Sequence, residues 1–174
     1  MLLETQAVSR LALFFGTTWQ VNGIAIGAIL TSLVVANVVV EKSDIDRSPW
    51  GILAGLLLSL VGLYFVPWSK IPASTVVVGW LTAGLFAVPV FFAGLLFSGI
   101  FRRTSSPTSA LAANMLGAVV GGLAENVSLV IGLNALLLIA FLAYSLAGVG
   151  IHDLSEPAAT TSKIRGEKPL ANSA

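Results

Sequence analysis

Glu125 is the residue whose type and position most suggest chemistry, because it is a carboxylate within a long, otherwise uncharged stretch. If that stretch crosses a membrane, the cost of burying an acid predicts proton or cation handling by default. The alternative, which the sequence favours, is a structural carboxyl hydrogen-bonded by Asn126, Ser128 or a neighbouring helix. Transport sites need several converging polar groups. The polar residues available for such an intramembrane site are Asn126, Asn114, Asn37 and Asn22.

Most other chemistry is excluded by composition. The chain has no cysteine and a single histidine, so disulfides, thiolate catalysis, iron–sulfur clusters and histidine-rich metal sites are not expected. Nine basic against eight acidic residues give a net charge of +1, which supplies no basic field for nucleic acid. The sequence therefore predicts no enzyme activity, no metal, no cofactor and no nucleic-acid partner.

Small residues recur at four-residue spacing in several apolar stretches. They are Ala113, Gly117 and Gly121 in line with Glu125, the pair Gly23 and Gly27, and the pair Gly51 and Gly55. Such stripes let helix backbones approach closely in lipid. Packing within the bundle is the favoured interpretation, and a docking face for a partner helix is the alternative.

The elements that must position these residues are membrane helices. Only 10% of the residues are charged and 56% are apolar, too few charges to cover a water-facing surface. Runs of about 17 to 25 uncharged residues predict an all-α, polytopic transmembrane bundle over residues 17–151. About five spans are expected, at residues 18–40, 50–67, 75–100, 108–130 and 134–150.

The last two spans depend on where the stretch 109–151 is divided. The preferred break lies at Gly132 and Asn134, because Gly ends helices and Asn caps them. A competing break at Glu125 and Asn126 would make the first piece a short re-entrant segment.

Both ends of the chain differ from the spans. Residues 1–16 predict an amphipathic helix lying at the membrane interface. Its apolar side would hold Leu3, Ala7, Val8, Leu11, Phe14 and Phe15, and its polar side Thr5, Gln6, Ser9 and Arg10. Residues 152–174 form a polar tail that is expected to order only on a partner.

Basic residues predict the orientation. Seven of the nine fall in loops or in the tail on one side, which places the carboxyl terminus in the cytoplasm. Arg102 and Arg103 belong to this set, and paired arginines at that face also suit anionic lipid headgroups.

Two stretches resemble a known family. They are "MLLETQAVSRLALFFGTTWQVNGIAIGAILTSLVVANVVV" and "SALAANMLGAVVGGLAENVSLVIGLNALLLIAFLAYSLA". They resemble the carboxyl-terminal transmembrane region of bacterial membrane-integrated spermidine-synthase-like (aminopropyltransferase-like) proteins. The matching positions are Asn114, Gly117, Gly121, Gly122 and Glu125, whereas Asn126 replaces the family's usual aromatic residue. The family's catalytic domain has no counterpart here, so the resemblance implies a freestanding membrane module in a bacterial inner (plasma) membrane.

Three functions are weighed. The first is a non-catalytic accessory or scaffold subunit of a larger bacterial membrane complex, with the lipid bilayer and other membrane subunits as partners. The second is a small transporter or channel that uses Glu125. The third, an enzyme acting on lipid or polyamine, lacks any visible nucleophile, base or metal set.

Overall fold

The computed structural model describes residues 2–16, 18–42, 49–67, 76–126 and 130–155. All regular structure in these ranges is helical, as the sequence predicts. The six helices are α1 (Leu2–Phe15), α2 (Trp19–Lys42), α3 (Pro49–Tyr64), α4 (Val76–Arg103), α5 (Pro107–Glu125) and α6 (Asn134–Ser155).

Among the described residues, three segments are long and apolar enough to cross a membrane: Trp19–Lys42, Val77–Arg103 and Pro107–Glu125. A helical membrane bundle therefore fits the structure, while the number of five spans stays a prediction. The apolar helices Pro49–Tyr64 and Asn134–Gly150 are shorter. The 16 residues of α3 extend over about 24 Å, less than the roughly 30 Å of a bilayer's hydrocarbon core.

The centre of the bundle is the pair α2 and α4, which run parallel. The Ser32 hydroxyl donates to the carbonyl of Ala87 at 2.8 Å, and the Arg102 guanidinium donates to the carbonyl of Val40 at 2.6 Å. From the first bond to the second, the residue numbers increase in both helices. The two helices therefore run in the same direction.

Helix α3 packs against α4 and α6 and runs antiparallel to both. A Cβ built on Gly55 would lie 2.7 Å from the ring of Phe92, and one on Gly148 would lie 2.6 Å from Leu53. The glycines thus allow α3 to lie close to each neighbour. The main buried cluster contains Leu3, Ala7, Ile29, Leu56, Leu60, Leu63, Phe86, Val90, Leu137 and Ala140.

Helix α1 packs lengthwise among α2, α4, α5 and α6. Gly16, at φ +82°, turns the chain back into α2, because glycine adopts this left-handed conformation readily. Leu11 lies in a buried cluster with Val21 and Ala25, whereas Leu3 belongs to the cluster that contains Ile29. Helices α1 and α2 are therefore antiparallel.

This packing corrects the expectation for the polar side of α1. A helix lying on a membrane surface leaves its polar side to water, but Gln6 is fully buried and Thr5, Ser9 and Arg10 are half-buried. Amphipathic periodicity identifies two faces without identifying what covers each, and α5 and α6 cover the polar one.

The connection between α5 and α6 includes both of the positions at which the sequence suggested that a helix ends. Helix α5 ends at Glu125 with Asn126 as its C-cap, five residues before the expected end of the span. Gly132 has φ +94°, and α6 begins at Asn134 as predicted.

Candidate functional site

Polar side chains from three helices meet at one end of the bundle, which we name the α1–α5–α6 junction (Thr5, Gln6, Arg10, Glu125 and Asn134). The Thr5 hydroxyl donates a hydrogen bond to the Glu125 carboxylate. The Arg10 guanidinium donates to Oδ1 of Asn134. Because Glu125 is the last residue of α5 and Asn134 the first of α6, the short connection between these helices brings both to α1.

Gln6 lies between these two bonds on the circumference of α1. At about 100° per residue, it is about 100° from Thr5 and about 40° from Arg10, on the arc between the side chains that bond to α5 and to α6. It is 0% exposed, and neither Nε2 nor Oε1 has a hydrogen-bond partner among the described residues. Such a buried, unpaired amide costs about 1–3 kcal/mol.

Charge at the junction comes from Arg10 and Glu125. Partial burial lowers the pKa of the Arg10 guanidinium from its usual value, but a guanidinium remains protonated at neutral pH. A cation and a carboxylate, each hydrogen-bonded to a neutral polar group, tie the helices together at this end. The set can position the three helices relative to one another.

The asparagines expected beside Glu125 do not converge on it. The Asn126 side chain donates to the carbonyl of Leu123 at 3.2 Å, within its own helical turn. Asn114 is exposed midway along α5, and Asn22 is exposed near the start of α2. Glu125 accepts a hydrogen bond from Thr5 of α1 instead, and the sequence signal that could have indicated this contact is the polar side of α1.

The small-residue stripes divide into buried and open positions. Gly55 is pressed against Phe92, whereas Gly23, Gly27 and Gly117 have no atom within 4 Å of an added Cβ. The other stripe members are also mainly outward: Gly51 and Ala113 are exposed, and Gly121 is half-buried. Packing within the bundle therefore accounts for Gly55 but not for the stripes of α2 and α5.

Helix α5 has no buried residue. Large apolar side chains on it are exposed, including Met115 at 71% and Leu116 at 67%. Apart from Ala110, its half-buried residues lie at the carboxyl end, at Gly121, Gly122, Ala124 and Glu125. The remainder of α5 is open to lipid or to another protein.

The arginine pair lies at the opposite end of the bundle from the junction. Through its bond to the Val40 carbonyl, Arg102 places a positive charge at the carboxyl end of α2, where the helix dipole favours a cation. Arg103 is exposed at the same end. Arg102 thus has a structural role in joining α4 to α2.

Two largely apolar hollows lie between α3 and α6. A cavity of about 130 Å³ is bordered by Tyr64 and Phe141 among others. Within the described ranges, no group of three His, Cys, Asp or Glu residues is placed to hold a metal ion. Comparisons with protein-family models, with curated proteins and with solved structures found no match for this chain.

Proposed function

We propose that this chain is a non-catalytic integral membrane protein, an accessory or scaffold subunit of a larger bacterial membrane complex. The observation that carries the proposal is α5, a helix of 19 residues without one buried side chain. In this proposal, α5 docks onto a transmembrane helix of another subunit.

The open surface of α5 suits a helix better than it suits lipid. Asn114 is exposed in the middle of α5, and an amide in hydrocarbon loses its hydrogen bonds to water without replacement. A neighbouring helix that offers a polar group would satisfy the amide, and Gly117, with open space above it, would allow that helix to approach. The exposed surface of α2, by comparison, carries large apolar side chains such as Ile26, Leu30 and Val34, which suit lipid.

The proposal also includes five membrane crossings in an inner (plasma) membrane, with the carboxyl terminus in the cytoplasm. The antiparallel directions of α2 and α3, and of α3 and α4, are what successive crossings require. The distribution of Lys and Arg supports the orientation. The resemblance to the carboxyl-terminal membrane region of spermidine-synthase-like proteins is part of the same proposal and rests on the sequence motifs alone.

Site-specific crosslinking in native membranes tests the docking role. Since the chain contains no cysteine, a crosslinker can be attached at Leu116→Cys on α5, with Leu58→Cys on α3 as the matched control. The two side chains are similarly exposed, at 67% and 71%. We expect one stoichiometric partner to be crosslinked from position 116 and not from position 58.

Asn114→Leu provides the second arm of this experiment. Loss of an interhelical hydrogen bond, worth about 1–2 kcal/mol in model peptides, should weaken partner recovery about tenfold. Asn22→Leu, at an exposed position on α2, should leave recovery unchanged. Purification of a lone 18 kDa species, with no crosslink from position 116, would contradict the subunit role.

A second candidate, a small transporter or channel, is favoured by one observation, the buried Gln6 amide in the same junction as Glu125. Flux of protons and monovalent cations in proteoliposomes tests it. Transport would require that Glu125→Gln abolish the flux while Glu41→Gln, on the carboxyl-terminal turn of α2, does not. A flux with this dependence would overturn the scaffold proposal, which expects none.

A further inference from the structure

Helix α5 is attached to the bundle mainly at one end. None of its residues is buried, and the half-buried ones, apart from Ala110, lie in its last turns near Glu125. Its packing neighbours there are α1 and α6. Apolar packing alone therefore does little to hold the rest of α5 in a fixed position.

We propose that α1 is a clasp that positions α5, acting through the bonds of Thr5 to Glu125 and of Arg10 to Asn134. The two bonds reach opposite sides of the connection between α5 and α6. That connection contains a helix end at Asn126 and the left-handed Gly132. Because α1 bridges these two breaks, it sets the angle at which α5 leaves the bundle.

The rest of α1 is anchored firmly enough to serve this role. Leu3, Ala7 and Leu11 are buried, at 7%, 1% and 1% exposure, in clusters shared with α2 and α4. One face of the helix is thus fixed in the core, while the adjacent polar face holds the connection. Thr5 and Arg10 act as positioning residues, since each works through another group.

The consequence for docking rests on the proposed function. If α5 binds a partner helix, the clasp presents it in one orientation, which lowers the ordering cost of association. Loosening the clasp should then weaken partner binding without altering any residue on the outward face of α5.

Distance measurement between spin labels tests the clasp in the full chain. Labels at Met115→Cys on α5 and Leu58→Cys on α3 occupy sites that are both 71% exposed, in a protein without native cysteine. We expect Thr5→Val to raise the population of displaced α5 about fivefold, the change that loss of one net hydrogen bond produces. Glu125→Met, which removes the acceptor of this bond, should raise that population at least as much.

Two variants serve as matched controls. Thr5→Ser keeps the hydroxyl and should restore the parent distribution. Gln6→Met changes the adjacent side chain, whose amide has no bond in the described structure, and should leave α5 in place. Circular dichroism checks that each variant retains its helices, and Glu125→Met decides the question if Thr5→Val fails to fold.

An unchanged distance distribution in folded Thr5→Val and Glu125→Met would overturn the clasp. The same result in Gln6→Met as in Thr5→Val would also overturn it, because packing rather than the hydroxyl would then be responsible. If the distributions change as expected but position 116 crosslinks to nothing, the clasp stands and the docking function fails.

Discussion

The α2–α4 pair and α5 have the same apolar character and different surroundings. Each of the three helices contains a segment long and apolar enough to span a membrane. Yet α4 carries the fully buried Phe86 and is bonded to α2 through Ser32 and Arg102, whereas α5 has no buried residue at all. Apolar length therefore identifies a membrane helix without telling whether it belongs to the core or to a surface.

Glycine makes the same distinction on a smaller scale. An added Cβ on Gly94 of α4 would lie 3.1 Å from both Ala36 and Leu33 of α2, whereas one on Gly117 of α5 would meet nothing within 4 Å. Small residues in α4 let helices of this chain approach each other. In α5 they leave a surface that another chain could approach.

The largest effect should come from Phe86→Ala in α4. Because lipid is as apolar as the core, moving the ring between them changes the free energy little. The loss in the free energy of unfolding therefore comes mainly from the cavity that the substitution leaves, and should be about 2–3 kcal/mol. Leu116→Ala in α5, exposed at 67%, should change the free energy of unfolding by about 0.5 kcal/mol or less. Reversible unfolding in mixed micelles measures both, and equal losses would contradict the division into core and surface helices.

A smaller change in the free energy of unfolding is expected when alanine replaces an inward-facing glycine or an outward-facing one. Gly55→Ala would place Cβ 2.7 Å from the Phe92 ring, and the repacking should cost about 1–3 kcal/mol. Gly117→Ala should stabilise the chain by up to about 1 kcal/mol, because alanine is the better helix former. The same unfolding assay applies, and a loss of stability in Gly117→Ala would indicate that its surface is covered within the chain.

Among the substitutions that disturb the packed helices, the smallest effect should come from Arg102→Gln. It removes a charged donor 2.6 Å from the Val40 carbonyl at the carboxyl end of α2, and we expect a loss of about 1 kcal/mol. Lys42→Gln, which removes a positive charge from the same end of α2, is the matched control and should cost less. If the two substitutions cost the same, the bond does not contribute to the α2–α4 seam.

Much of the fold follows from the sequence because the spacing of charges and the helix-breaking residues act locally. The start of α6 at Asn134 was predicted from the helix-capping preference of asparagine. The end of α5 at Glu125 falls at the competing break weighed from the sequence, before the preferred span end at residue 130. Residues 156–174 lie outside the described ranges, so the expectation for the tail remains a prediction.

The sequence predicted one part of the candidate site and missed the other. Glu125 was identified from its charge in an apolar stretch, a property of the sequence alone. Its partner Thr5 lies 120 residues away, on a helix whose polar side was assigned to water. No local pattern encodes such a pairing, because it depends on how α1 folds back into the bundle.

By itself, the sequence determined an all-helical chain whose helices are suited to a membrane, because few charges and long apolar runs allow no other class. It also determined where a carboxylate would need a partner. Only the tertiary structure decided that α1 supplies the partner, that Gly55 faces inward, and that Gly117 faces outward. Those outcomes depend on which faces of different helices meet. Because lipid is as apolar as the protein core, a face that meets lipid and a face that meets another helix have the same hydrophobic pattern in the sequence.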